Sequence, residues 1–356
     1  MSPSSGGLAA PDRWEVGSEF HWMGLPPGPL IAWPTPSAWY LLGRYAVVDL
    51  LETLESFGGR LWLPAYFCHE IRDYWRRFFK IEEYVDDPRR PEPDWPTLRP
   101  AADHAVLVVN YFGVRPGEPW RRWREANACI LIEDHSHDPV SGWALRSTAD
   151  YVFSSLRKTL PVPDGAILWS PRGLPLPEAK LPPPDYSGSA MKLAAMLWKR
   201  EYLAGRAPAS IKPLYREWQR AGETEFDRNQ QVLGATPYSR QYLAAGVPVR
   251  WRRQRAANVR QLLAQAQNWP GAQPLFRSWP RDSVPLGAVF CFPSGEERDR
   301  LRKHLEDSNI YCPVHWPVSI DSSPAVRELA DTILTIPADQ RYRRSDMDLV
   351  AAALMR

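Results

Sequence analysis

The stretch "CILIEDHSHD" (129–138) runs from Ile130, Leu131 and Ile132 straight into Glu133, Asp134, His135, His137 and Asp138. Three consecutive apolar residues read as a buried strand, and in a parallel sheet the carboxyl ends of such strands line the ligand crevice. Asp134 therefore stands where a strand delivers a carboxylate to a site. Two elements on, "DYVFSSLRKTLPVPDGAIL" (150–168) ends another strand with Ser154, Ser155 and Lys158. Only seven of the 44 basic residues are lysines (80, 158, 180, 192, 199, 212 and 303), so a lysine in so crowded a place is a candidate for chemistry.

The elements that would position these groups are legible along the chain. Residues 1–34 are rich in Pro, Gly and Ser and read as an arm that wraps the surface or reaches a partner subunit. "SAWYLLGRYAVVDLLETLESF" (37–57) places Leu41, Leu42, Tyr45, Val48, Leu51 and Leu54 at helical spacing. Short apolar runs follow at 61–64, 105–112, 129–134, 150–155 and 165–170, separated by connectors such as "EPWRRWREANA" (118–128). Strands this continuously apolar are covered on both faces, which predicts an α/β protein with a mostly parallel sheet. After the proline-rich 170–188 come long helices to about residue 268. The tail predicts a small α+β unit: strand 286–293, helix 295–308, strand 309–317, apolar run 331–337 and a closing helix. The expected division is an arm over 1–34, a large domain over 35–230 and a small C-terminal domain with its linker helix over 231–356.

A carboxylate, a lysine, hydroxyls and a glycine-bearing turn before a helix are the parts needed to hold pyridoxal phosphate. The lysine forms the Schiff base, the carboxylate keeps the pyridine nitrogen protonated, and hydroxyls with a helix N-terminus take the phosphate.

"IEDHSHD" followed by "ADYVFSSLRKTLPVPDGAIL", with 24 residues from Asp134 to Lys158, resembles the DegT/StrS-like branch of the fold-type-I pyridoxal-phosphate aminotransferases. "LLGRYAVVDLL" is similar to the family's helix under the phosphate, "LWLPAYFC" to the strand before the ring-stacking loop, and "VNYFG" to the strand that follows. The C-terminal "RDRLRKHLEDSNIYCPVHWP" and "ILTIPADQRYRRSDMDLVAAAL" resemble its small domain. The resemblance implies a large domain on a mostly parallel, seven-stranded-type sheet plus a small α+β domain.

It implies Lys158 as the Schiff-base lysine and proton carrier, Asp134 as partner of the ring nitrogen, and His137 beside the phenolic oxygen. Gly43 and Arg44 would open the phosphate-side helix, Ser154 or Ser155 would add a hydroxyl, and Phe67 or Tyr66 would cover the ring face. Arg44 stands where Thr or Ser is usual, and Phe153 where a phosphate serine is common. The implied activity is transfer of an amino group from an amino-acid donor to a keto sugar nucleotide or another biosynthetic carbonyl, in a homodimer.

Rival readings belong beside this one. Asp134 alone is a strand-end carboxylate that caps a turn, and Lys158 alone is a solvated loop lysine; their joint placement favours the cofactor. His135 and His137 with Asp134 and Asp138 could imitate a metal-dependent hydrolase, but further ligands such as His104 or His315 belong to distant elements, so no metal is expected. Other pyridoxal chemistry, elimination or carbon–carbon bond formation, would use the same residues.

The composition excludes other classes. With 44% hydrophobic and 24% charged residues the chain can build a large core, and a net charge of +3 calls for no polyanion. The arginines of "VRWRRQRAANVR" (249–260) read as a linker-helix face, with no nucleic acid expected. The beginning "MSPSSGGLAAPDRWEVGSEF" lacks a signal-peptide pattern, no run reaches about 18 apolar residues, and the four cysteines show no CxxC spacing. The expectation is a cytoplasmic protein with no membrane partner.

Overall fold

In the computed structural model, residues 11–229, 231–266, 269 and 271–355 are described. A seven-stranded mixed sheet is the largest sheet of the described residues. Its strands are β1 (Ala38–Tyr40), β2 (Arg60–Pro64), β3 (Lys80–Tyr84), β4 (Ala105–Val109), β5 (Ile130–Asp134), β6 (Tyr151–Ser155) and β7 (Ala166–Trp169). They lie in the order β1-β7-β6-β5-β4-β2-β3. From β3 to β6 every pairing is parallel, and β7 runs antiparallel to both of its neighbours. All five residues of β4 are buried, as a strand covered on both faces requires.

The expected strands at 61–64, 129–134, 150–155 and 165–170 are present within a residue or two at each end. Two strands of this sheet are new. β1 opens the segment that helical spacing assigned from residue 37, so helix α1 runs only over Gly43–Thr53. β3, "KIEEY", is an edge strand with only Tyr84 buried, which is why it carries no apolar run. The expected crossover helix is α2 (Glu118–Glu125).

Beyond the sheet, α3 (Ser187–Leu203) and α4 (Ile211–Arg228) form a helical hairpin. The helices approach closely at two glycines: a Cβ on Gly222 would lie 2.6 Å from the Gly188 carbonyl oxygen. Helix α5 (Val249–Gln265) leads to an antiparallel sheet of β8 (Gln273–Pro274), β9 (Ala288–Cys291) and β10 (Ile333–Ile336), with α6 (Gly295–Asp307), α7 (Pro324–Thr332) and α8 (Arg344–Leu354) around it. The expected strand 309–317 shrinks to Ile310–Tyr311, because Pro313 and Pro317 cannot sustain a ladder. One hydrophobic cluster packs α1 against the large sheet; a second joins α5, α6, α8 and the small sheet.

The arm is structural over its described part. Val16 is fully buried and pairs with Ile310. Glu15, 6% exposed, lies 2.8 Å from Lys199 and 2.9 Å from Lys212. Burial alone would raise the Glu15 carboxyl, but attraction and hydrogen bonds from the two lysines overcome it and hold it down at about 2. Burial pushes Lys199 the other way, down to about 8. The Glu15 contribution to stability is therefore present above its unfolded value of 4.5 and is lost as the pH falls toward 2. Glu15→Gln should cost about 3 kcal/mol in denaturant unfolding, since it leaves the buried Lys199 ammonium without a counter-charge, held only by neutral acceptors such as the Ser18 hydroxyl and the Glu19 carbonyl. It should also flatten the acid limb of the Tm-against-pH curve.

Candidate active site

The site forms where the C-terminal ends of β2, β4, β5 and β6 come together. β5 ends on Asp134, which pairs with Phe153 of β6. One Asp134 oxygen accepts the Ser136 N–H at 2.8 Å. The carboxylate is 7% exposed and has no ion-pair partner among the described residues. The other charged residues of the motif face elsewhere. Glu133 holds His135 at 3.0 Å and accepts the Trp143 indole N–H at 2.9 Å. Asp138 accepts from Arg252 and from the Val284 backbone. Each group the hydrolase reading needs is thus tied to a different partner, and the described residues contain no cluster suited to a metal ion. That division of labour accounts for the crowding in 133–138.

His137 is buried, and its Nδ1 accepts the Phe112 backbone N–H at 2.9 Å, so the ring proton sits on Nε2. Burial, then the charge of Lys158 and the nearby His315, holds His137 well below the usual histidine range and keeps it neutral. Lys158 follows β6 at the end of a short turn, is exposed, and makes no hydrogen bond or ion pair among the described residues. Its Nζ lies 5.8 Å from the centre of the Trp316 ring, over its face. The preceding Arg157 is fixed by a two-pronged pair with Glu223 at 2.6 Å and 2.6 Å.

On the phosphate side, α1 begins at Gly43 with no side-chain cap; the Tyr45 N–H turns back to the Leu42 carbonyl, and the Gly43 and Arg44 N–H groups are the ones that suit an anion. A Cβ at Gly43 would stand 3.1 Å from Ser155 Cβ and 3.5 Å from the Phe153 ring, so β6 approaches the helix closely here. Strand alternation puts Ser155 and Phe153 on the α1 side and Ser154 on the other, where its buried Oγ has no partner. Of the two candidate serines, Ser155 is the one at the helix terminus. Arg44 is directed away: it donates to Asp227 and to the Phe226 carbonyl and stacks 4.9 Å from the centre of the Tyr74 ring.

Tyr66 and Phe67 follow β2 and are buried. Phe67 stacks on Trp75 at 5.6 Å, and Tyr66 meets Tyr111 at 5.8 Å. Two residues not singled out as part of this site by the sequence join it. Trp316 packs against Tyr66, Phe67, Tyr111 and His137. His315, assigned to a distant element, lies 5.7 Å from His137, ring to ring. Its Nδ1 lies 3.0 Å from the Thr335 hydroxyl, and burial, then Lys158, lowers its pKa to about 3. Lys158, His315 and Trp316 line a cleft of about 660 Å³ that the arm, α3 and α4 wall on the far side.

The donor set fits pyridoxal phosphate. A buried carboxylate without a cation suits a ring N–H, a neutral imidazole offers an N–H, an unpaired lysine amine can take an aldehyde, and an uncapped helix start with a hydroxyl suits a phosphate.

No family model and no curated protein sequence matches the chain. Solved structures do. A Streptococcus pneumoniae protein assigned as a sugar aminotransferase, in its pyridoxal-phosphate form, is 13% identical over 96% of this chain and 98% of its own, with a TM-score of 0.63. DesV of S. venezuelae, in complex with a ketimine intermediate, is 16% identical over 90% of this chain and 84% of its own, with a TM-score of 0.55. The E. coli GDP-4-keto-6-deoxy-D-mannose-3-dehydratase with bound hydrated pyridoxal phosphate is 12% identical over 89% and 87%, with a TM-score of 0.56. A mixed seven-stranded sheet with the strand-end carboxylate and lysine, matched over nearly its whole length by these proteins, gives this chain the fold of the DegT/StrS-type, pyridoxal-phosphate-dependent sugar aminotransferases of fold type I.

Proposed function

We propose that the protein is a pyridoxal-phosphate-dependent aminotransferase that moves an amino group from an amino-acid donor to a keto sugar nucleotide or a related biosynthetic carbonyl. The observation that carries this reading is the placement of a buried carboxylate without an ion-pair partner, Asp134, at the end of one strand and of an unpaired amine, Lys158, in the turn that follows the adjacent parallel strand.

When bound, the cofactor supplies an aldehyde that captures amines and a ring that delocalises charge from the substrate carbon. Lys158 Nζ would be the amine that captures the aldehyde and the group that moves a proton at the donor carbon. Asp134 would accept a hydrogen bond from the ring nitrogen and favour its protonated form. His137 would offer its Nε2–H as a hydrogen bond to the phenolic oxygen, with the Phe112 N–H fixing the tautomer. The start of α1 and the Ser155 hydroxyl would hold the phosphate, and Phe67 or Tyr66 would cover the ring.

The cleft beside Lys158 receives donor and acceptor in turn. Arg216 and Arg302 line it, are exposed, and have no ion-pair partner among the described residues, which suits an acceptor that carries phosphate. The reading includes a homodimer working in the cytoplasm, where the four unpaired thiols stay reduced.

Mass spectrometry tests the reaction type. Protein loaded with pyridoxal phosphate and then given glutamate should release the pyridoxamine form on acid treatment. A carbonyl acceptor should return it to the starting form. Protein that releases only unchanged cofactor after a panel of amino donors would replace the transaminase reading with another pyridoxal reaction.

A further inference from the structure

Four of the residues that the cofactor reading places around the ring, Tyr66, Phe67, His137 and Lys158, converge on a ring the chain itself supplies. The Trp316 indole lies 5.6 Å from Tyr66, 6.1 Å from Phe67 and 6.2 Å from Tyr111 between ring centres. It stacks on His137 at 5.5 Å with 21° between the planes. Lys158 Nζ faces it at 5.8 Å. Two ring-covering candidates, the imidazole meant for the phenolic oxygen and the amine meant for the aldehyde thus all surround one flat aromatic side chain, itself 8% exposed.

We propose that Trp316 is a resident occupant of the cofactor slot and that its withdrawal determines whether the cofactor can load. This inference rests on the reading of the site as a pyridoxal-phosphate site. Two flat rings cannot share one close-packed slot, so every conformer with the indole inside is incompetent to load, and the apparent cofactor affinity falls by the competent fraction.

The surroundings of Trp316 suit such a movement. It belongs to the irregular segment between the Ile310–Tyr311 strand and α7, and its indole N–H has no hydrogen-bond partner among the described residues. Ring packing and the Lys158 ammonium hold the side chain, with no directional tether. On its outer side it already lines the cleft of about 660 Å³, which gives the indole somewhere to go. His315, beside it, stays anchored through Thr335.

The test is a pyridoxal-phosphate titration of the full chain and of Trp316→Phe and Trp316→Val. It is followed by visible absorbance and by the mass of the borohydride-fixed adduct on Lys158, with circular dichroism melts to confirm folding. Trp316→Val should half-saturate at about tenfold lower cofactor concentration than the parent chain, with Trp316→Phe between them. Free indole should raise the value for Trp316→Val again by refilling the slot. Equal half-saturation in all three chains, or weaker loading by the folded Trp316→Phe, overturns the occupancy role and leaves the aminotransferase reading intact. No adduct on Lys158 in any chain overturns both.

Discussion

Lys158→Ala, purified in the presence of pyridoxal phosphate, should show no borohydride-sensitive visible band and should transaminate slower by on the order of 10⁴-fold. On the proposed reading, removing the amine would delete two operations at once, capture of the aldehyde and transport of the proton, and no other lysine stands ready to replace it. Lys192 is paired with Glu223 at 2.8 Å, and Lys199 and Lys212 are held by Glu15. The loss would not be a folding defect. Lys158 is exposed and carries no hydrogen bond or ion pair among the described residues, so the variant should unfold within about 0.5 kcal/mol of the parent. Lys158→Arg keeps the charge but cannot form the carbon–nitrogen double bond, and should be equally inactive. A variant that retains the band would mean that the aldehyde is captured elsewhere.

The second large effect belongs to Asp134. Asp134→Asn keeps the volume and the acceptor for the Ser136 N–H, so the turn after β5 survives. On the proposed reading it removes the negative charge that would hold a proton on the ring nitrogen, and with it the main sink for electrons from the substrate carbon. The expected result is a fall of about 10²–10³ in kcat with little change in melting temperature. Cofactor still attaches to Lys158, so the borohydride adduct should form in Asp134→Asn and be absent in Lys158→Ala. That contrast separates the two roles. Full activity in Asp134→Asn would show that another group serves the ring nitrogen.

What the sequence disclosed and what it concealed follow from how local each signal is. Strands β2, β4, β5, β6 and β7 are readable because burial on both faces demands continuous apolar runs, and Asp134 and Lys158 are readable because they stand at the ends of such runs. β3 is concealed because an edge strand needs only Tyr84 inside. The choice between Ser154 and Ser155 is a matter of alternation relative to α1, which requires knowing where β6 ends. Trp316 and His315 carry no local mark at all. They reach His137 only because the C-terminal unit packs across the strand ends, and the "HWP" that contains them reads from sequence as part of a strand. Arg44 illustrates the reverse: its position in the motif is right, but Asp227 and the Phe226 carbonyl, far along the chain, decide where the guanidinium points.

The docked arm bears on how the molecule is made. Gly17 donates its N–H to the Tyr342 hydroxyl at 2.7 Å across a separation of 325 residues, and Val16 pairs with Ile310. Val16 and Gly17 therefore find their seat only after partners some 300 residues further along the chain have been made. The large sheet can collapse during synthesis, but the segment around Val16 stays unseated until Ile310 and Tyr342 have emerged, a window in which a nascent-chain chaperone or a protease would meet it first.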